Sequence, residues 1–90
     1  MDATSRLQRR PDVTFQSVAG EAILIRMDTG TYFSLNNVGT EFWDMLDGQQ
    51  TIAQHAATIA TKYNVDVSMV TSDLLELAEK LAAERLVDVN

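Results

Sequence analysis

Apolar residues alternate with polar ones from Val13 to Val18, Ile and Leu are concentrated between Glu21 and Met27, and from Val38 onward apolar residues recur every three or four positions. The first period suits strands with one covered face, the second helices with one covered stripe. Val13-Thr14-Phe15-Gln16-Ser17-Val18 reads as a strand, Ala19-Gly20 as a tight turn, and Glu21 to Met27 as a second strand. Asp28-Thr29-Gly30 is a short loop whose glycine can take the positive φ that hairpins need. Thr31 to Leu35 is the third strand. Alternation puts Phe33 and Leu35 on one face and Tyr32 and Ser34 on the other. The expected core face takes Phe33 and Leu35 with Val13, Phe15, Ile23, Ile25 and Met27, which leaves Arg26 toward water.

An asparagine at 36 or 37 can cap the first helix, which runs to about Leu46 with Val38, Phe42, Met45 and Leu46 on one side. Trp43, one residue past Phe42, is expected at the rim of the core. Asp47-Gly48 ends that helix. Thr51 opens the next one, and Gln54 three residues later completes a capping box. Ile52, Ala56, Ile59 and Tyr63 form its stripe. Asp66 or Ser68 caps a third helix from about Val67 to Glu84, carrying Val67, Val70, Leu74, Leu77, Ala78 and Leu81. Leu86-Val87 reads as a short return segment. Three strands followed by three helices, without repeats or linkers, predict an α+β domain with helices over one face of an antiparallel sheet. Residues 1–11 are expected to be a disordered lead-in closed by Pro11, and residues 12–90 the domain.

Ninety residues support one modest core. Without cysteine there are no disulfides, thiol nucleophiles or thiolate ligands, which suits a cytoplasmic protein. No apolar run approaches the ~18 residues of a membrane span, so no membrane partner is expected. The net charge of −6 is uneven: nine of the thirteen acidic residues lie after Leu35.

Candidate chemistry is thin. His55, the single histidine, is placed on the side of its helix opposite Ile52 and Ile59, as a solvated residue. One histidine cannot build a two-histidine metal site or lend a triad a plausible base. Asp73, Glu76 and Glu79 read as a solvated helix face, and the glycines at 20, 30, 39 and 48 fall at element boundaries rather than in a phosphate loop. No catalytic residue, metal site or cofactor is expected, and the chain is not expected to be an enzyme. Two helices joined by a short turn beside a small sheet also describe a winged-helix DNA reader. Its reading helix would carry Asp73, Glu76, Glu79 and Glu84 against Lys80, the reverse of what phosphates attract. No nucleic-acid partner is expected.

The third strand is the last of its sheet, so one hydrogen-bonding edge is left open. The third helix has an apolar arc of Leu74, Leu75, Leu77, Ala78, Leu81 and Ala82, wider than one-sided burial requires. An open edge beside a wide apolar wall makes a groove for an extended chain.

The run Gly30-Thr31-Tyr32-Phe33-Ser34-Leu35-Asn36-Asn37-Val38-Gly39, then Trp43 and Leu46, resembles the PqqD-like family of peptide-recognition elements. Tyr63-Asn64-Val65-Asp66, Asp73-Leu74, Leu77, Leu81 and Leu86-Val87 fit the same pattern, so the resemblance covers about residues 12–89. Arg85 departs from it, standing where many relatives place a glycine. The resemblance implies a winged-helix-like fold and a stand-alone adaptor that binds the leader segment of a precursor peptide. The leader adds as a strand beside the third strand and passes to a modifying enzyme: a radical SAM enzyme, a leader protease or a cyclase. Carried onto this chain, the peptide-binding residues are Thr31, Tyr32, Phe33, Ser34 and Leu35 on the strand, with Asp73, Leu77 and Lys80 on the helix wall. Leu75 and Ala82 form the alternative flank. A strand-paired homodimer through the same edge is the corresponding self-association. The rival functions are a winged-helix DNA-binding regulator and a small structural subunit of a larger enzyme.

Overall fold

A computed structural model describes Met1–Asn90 as strands β1 (Leu7–Arg9), β2 (Val13–Val18), β3 (Glu21–Arg26) and β4 (Tyr32–Ser34), helices α1 (Asn37–Met45), α2 (Ile52–Tyr63) and α3 (Val67–Ala83), and strand β5 (Val87–Val89). β2, β3 and β4 form an antiparallel sheet in chain order, and the three helices follow it, giving the α+β fold. The expected caps are in place. The Asn36 side chain accepts the Gly39 N–H, Thr51 and Gln54 form a reciprocal capping box, and Asp66 accepts the Ser68 N–H.

The core lies between the helices and one sheet face. Leu24, Phe42, Trp43, Ile52, Ala56, Leu74, Ala78 and Leu81 are fully buried, with Leu35 close behind. Trp43 is therefore core rather than rim, with Phe15 packed edge-on against it at 5.8 Å. Thr40 ties α1 to the sheet: its hydroxyl accepts the Ala22 N–H at 2.9 Å inside the core.

The middle strand faces the other way from the expectation. Ala22 and Leu24 are buried, whereas Ile23 is 44% and Met27 67% exposed. Ile25 shares their outward face, opposite Tyr32, and Arg26 sits on the core face, forked onto Asp28. Turn geometry is the reason. Ala19 and Gly20 both take positive φ (53° and 79°), a two-residue turn that pairs Val18 with Glu21. That register sets Phe15 opposite Leu24, and β4 sets Phe33 opposite the same Leu24. Residues directly opposite share a face, so an inward Phe15 and Phe33 force Leu24 inward and Ile23 and Ile25 out.

The expected disordered lead-in contains a strand. β1 pairs antiparallel with β5, Leu7 opposite Val89, and Leu7 is 1% exposed. The segment's main chain is tied down further: Gly48 donates to Leu7 O at 3.0 Å, Ile52 to Ser5 O at 3.0 Å, and Asn90 to Arg6 O at 2.8 Å. Partners some forty and eighty residues away order a stretch whose local pattern is polar.

His55 is also misplaced by the sequence reading. It is 1% exposed and packs edge-on against Phe42 at 5.7 Å. It stands three residues after Ile52 and four before Ile59, which puts it on the same helix face as both.

The close of α3 accounts for the departure at Arg85. Leu86 N–H donates to Leu81 O at 2.9 Å and Arg85 N–H to Ala82 O at 3.0 Å, the paired bonds of a Schellman cap. Such a cap holds its second-last residue in the left-handed region, and Arg85 sits there at φ 57°. Glycine would take that conformation without a Cβ penalty.

A cleft between the free edge of β4 and helix α3

β4 is an edge strand with β3 on one side only. The Leu35 N–H donates to Ala22 O at 2.8 Å, and the Arg26 N–H donates to Thr31 O at 3.0 Å. Thr31, Phe33 and Leu35 therefore turn their main chain toward β3. By the alternation of an antiparallel ladder, Tyr32 and Ser34 turn N–H and C=O outward along the open edge.

Beside that edge lies a cleft of about 400 Å³ lined by Phe33, Ser34, Leu35, Asn36, Val38, Gly39, Asp73, Leu74, Leu77 and Lys80. Three elements build it. β4 supplies one rim with the half-buried Phe33 and the buried Leu35 behind it. The first turn of α1 is the floor, held in place by the Asn36 cap. α3 is the wall, its Asp73, Leu77 and Lys80 spaced one turn apart. Gly39 lets floor and wall close up, since a Cβ there would stand 3.3 Å from Leu77 Cδ2 and 3.4 Å from Leu35 Cβ.

Of the residues singled out in the sequence, Phe33, Ser34, Leu35, Asp73, Leu77 and Lys80 come together in this cleft. Thr31 lies outside it. The Tyr32 side chain, 72% exposed, stands on the outer sheet face with Ile25 opposite. Of the alternative flank, Leu75 borders a shallower surface with Ser72, Glu76, Glu79, Lys80 and Ala83. Asn36, Val38, Gly39 and Leu74 were missed as lining residues. Their signal was present: a helix capped immediately after a strand must place its first turn beside that strand's end.

The cleft is apolar in the middle and charged along α3. Lys80 leans toward Glu76 at 3.6 Å, both groups being exposed, while Asp73 has no ion-pair partner. The cleft's lining offers apolar side chains and the Ser34 main chain beside the charges of Asp73 and Lys80. No helix of the chain is long and apolar enough to cross a membrane.

A solved chain described as TbiB1 in complex with the TbiA(beta) leader peptide superposes with a TM-score of 0.80 at 28% identity, over 90% of this chain and 94% of that one. No curated protein sequence matches significantly. The family model for coenzyme PQQ synthesis protein D (PqqD) matches residues 21–87, which takes in the sheet from β3 onward, the cleft and all three helices, and the chain belongs to the PqqD family.

Proposed function

We propose that this protein is a peptide-binding adaptor for the biosynthesis of a ribosomally made, post-translationally modified peptide or peptide-derived cofactor. It captures the leader segment of the precursor and presents it to a modifying enzyme. The observation that carries this reading is the coincidence of an unpaired strand edge with an apolar cleft at the same place. The similar TbiB1 chain, itself in complex with a leader peptide, supports it.

The mechanism is β-augmentation. An extended guest lies along β4 and exchanges main-chain hydrogen bonds with Tyr32 and Ser34, each worth about 1 kcal/mol net. Alternate guest side chains drop onto Phe33, Leu35, Val38 and Leu77, and one large apolar side chain buried there contributes about 1.5–3 kcal/mol. Asp73, lacking an ion-pair partner, favours a basic guest residue at its end of the cleft. Ordering a flexible leader offsets part of this gain, so affinity falls in the micromolar to submicromolar range, roughly −8 to −9 kcal/mol. The adaptor does no bond chemistry; it raises the local concentration of substrate at the enzyme.

The test is amide chemical-shift mapping with the leader of a short precursor encoded beside this gene. The expected result is perturbation of Tyr32, Ser34, Val38, Gly39 and the Asp73–Lys80 face. A leader that binds while leaving β4 and this face of α3 unperturbed would refute edge addition.

A further inference from the structure

The cleft does not stop at β4. A second hollow, of about 450 Å³, shares Ser34, Leu35 and Asn36 with it and continues past the strand to Val18, Glu21 and Ile23. The ladder places these residues. Val18 stands opposite Glu21 and Ile23 opposite Ser34, and Glu21 and Ile23 lie two apart on β3. Opposed residues share a face, so all four side chains belong to the outer face of the sheet.

An outer face that meets water normally carries polar side chains. Here Val18 is 69% and Ile23 44% exposed, and no element of the chain covers either. The neighbouring row is filled differently. Ile25 has Tyr32 beside it on the edge strand, whereas Ile23 has only Ser34. A side chain that small leaves Ile23 open toward whatever lies along β4.

We propose that this hollow is a second subsite for the guest, taking one long basic side chain from the outer face of the added strand. The inference rests on the guest pairing with β4 described under the proposed function. For a guest antiparallel to β4, the residue directly opposite Ser34 exchanges main-chain bonds with it and shares its face. Its side chain therefore stands outside the cleft, with Ser34 between it and Ile23. Neighbouring strands are about 4.8 Å apart, so Ile23 is about 10 Å away, two strands over, with Glu21 two residues further along β3. Only a long side chain spans that distance. Glu21 selects what it carries, because its carboxylate is exposed and pairs with no cation of the chain. An arginine or lysine lays its apolar stem over Ser34 and Ile23 and brings its charge to Glu21. The two faces of the guest are then read separately, one by α3 and the other by the β2–β3 hairpin. Strand alternation fixes the spacing: the basic residue lies an odd number of positions from the apolar residues that enter the cleft.

Titration calorimetry of the full chain tests this, using the leader encoded beside this gene and versions with each lysine and arginine changed in turn to glutamine. One such change, at odd spacing from the leader's apolar anchors, should weaken binding about twofold to fivefold, the range of an exposed ion pair. Against Glu21→Gln the same change should cost nothing, and Glu21→Lys should restore affinity for a leader with glutamate at that place. Ser34→Phe keeps the outward N–H but fills the approach to Ile23, and should weaken the parent leader about fivefold to tenfold. Both substituted positions are exposed, so the fold tolerates the changes. Equal affinity of the parent chain, Glu21→Gln and Ser34→Phe for a leader that still perturbs the Ser34 amide overturns the subsite and spares the cleft. A leader that leaves that amide unperturbed refutes strand addition itself, and the subsite falls with it.

Discussion

His55 lies in the core with neither ring nitrogen hydrogen-bonded, and that arrangement makes the fold's stability pH-dependent. Burial pushes its pKa below the ordinary 6.5, and the Asp47 carboxylate pulls weakly the other way. Asp47 accepts the Gln49 and Gln50 N–H groups at 2.9 and 3.0 Å and makes no hydrogen bond to the ring. Between about pH 6.5 and the lower folded pKa, the unfolded chain binds more protons than the folded one. Stability is therefore full above the unfolded value and falls as pH drops through that window, by up to about 1.4 kcal/mol per pH unit, then levels off. The carboxylates held below their usual values act elsewhere. Asp28 is lowered by the Arg26 fork, Glu41 by Lys62 and Asp47 by two amides, so their stabilisation is lost only as pH falls below ordinary values of 3.8, 4.5 and 3.8.

His55→Leu removes the titration together with two unpartnered polar atoms. One buried polar atom without a partner costs about 1–3 kcal/mol, and imperfect filling by leucine returns part of the gain. A net stabilisation of about 1–2 kcal/mol at neutral pH is expected. Urea unfolding followed by the fluorescence of Trp43, the single tryptophan and fully buried, reads it directly. The parent should lose stability between about pH 7 and pH 5 while the variant's curve stays flat. Parallel curves, or a variant less stable by more than about 2 kcal/mol at neutral pH, would mean that the ring is satisfied by a bound water and would refute the argument.

Ser34→Pro should weaken leader binding about tenfold in titration calorimetry with little change in stability, because its N–H faces the open edge and not β3. Equal affinities would rule out donation from this position. Leu77→Ala removes the apolar wall opposite Gly39 and should weaken the same titration by about 1–1.5 kcal/mol, since roughly two methylene-sized groups leave a contact face. An unchanged Kd would move the guest off this side of α3. Arg85→Gly relieves a left-handed residue at the α3 cap and should raise stability by about 0.5–1 kcal/mol in the urea assay. A decrease would show that the Arg85 side chain contributes more than its backbone costs.

The elements were legible because their determinants are local. Asn36, Thr51-Gln54 and Asp66 announce three helix starts, and Gly30, at φ 69°, marks the hairpin loop. Two of the misreadings were also local and could have been avoided. The two-residue turn at Ala19-Gly20 fixes Leu24 opposite Phe15, so counting across the turn outranks the hydrophobicity of Ile23 and Ile25. His55 sits at helical spacing from Ile52 and Ile59, so position outranks its polar side chain. The strand at Leu7–Arg9 was of another kind, since its order comes from β5 and the segment around Gly48, and no window of neighbouring residues contains that information.

The same period-two geometry divides labour at the cleft. Along β4 and the residue after it, those that point side chains inward, Phe33 and Leu35, spend their main chain on β3, and those whose main chain faces the open edge, Tyr32 and Ser34, point side chains away from the core. Main-chain pairing is nearly blind to side-chain identity, so in the proposed complex β4 would fix where and in which register a guest lies without choosing it. In that complex selection within the cleft would fall to the wall and floor, to Asp73, Leu77 and Lys80 across from Val38 and Gly39, which line the cleft. Substitutions on α3 should therefore change which leader is preferred, whereas blocking the Ser34 amide should weaken all leaders alike. Competition between two leaders of different sequence separates these effects: Leu77→Ala should alter their affinity ratio and Ser34→Pro should not. A ratio shifted by Ser34→Pro and untouched by Leu77→Ala would invert the assignment.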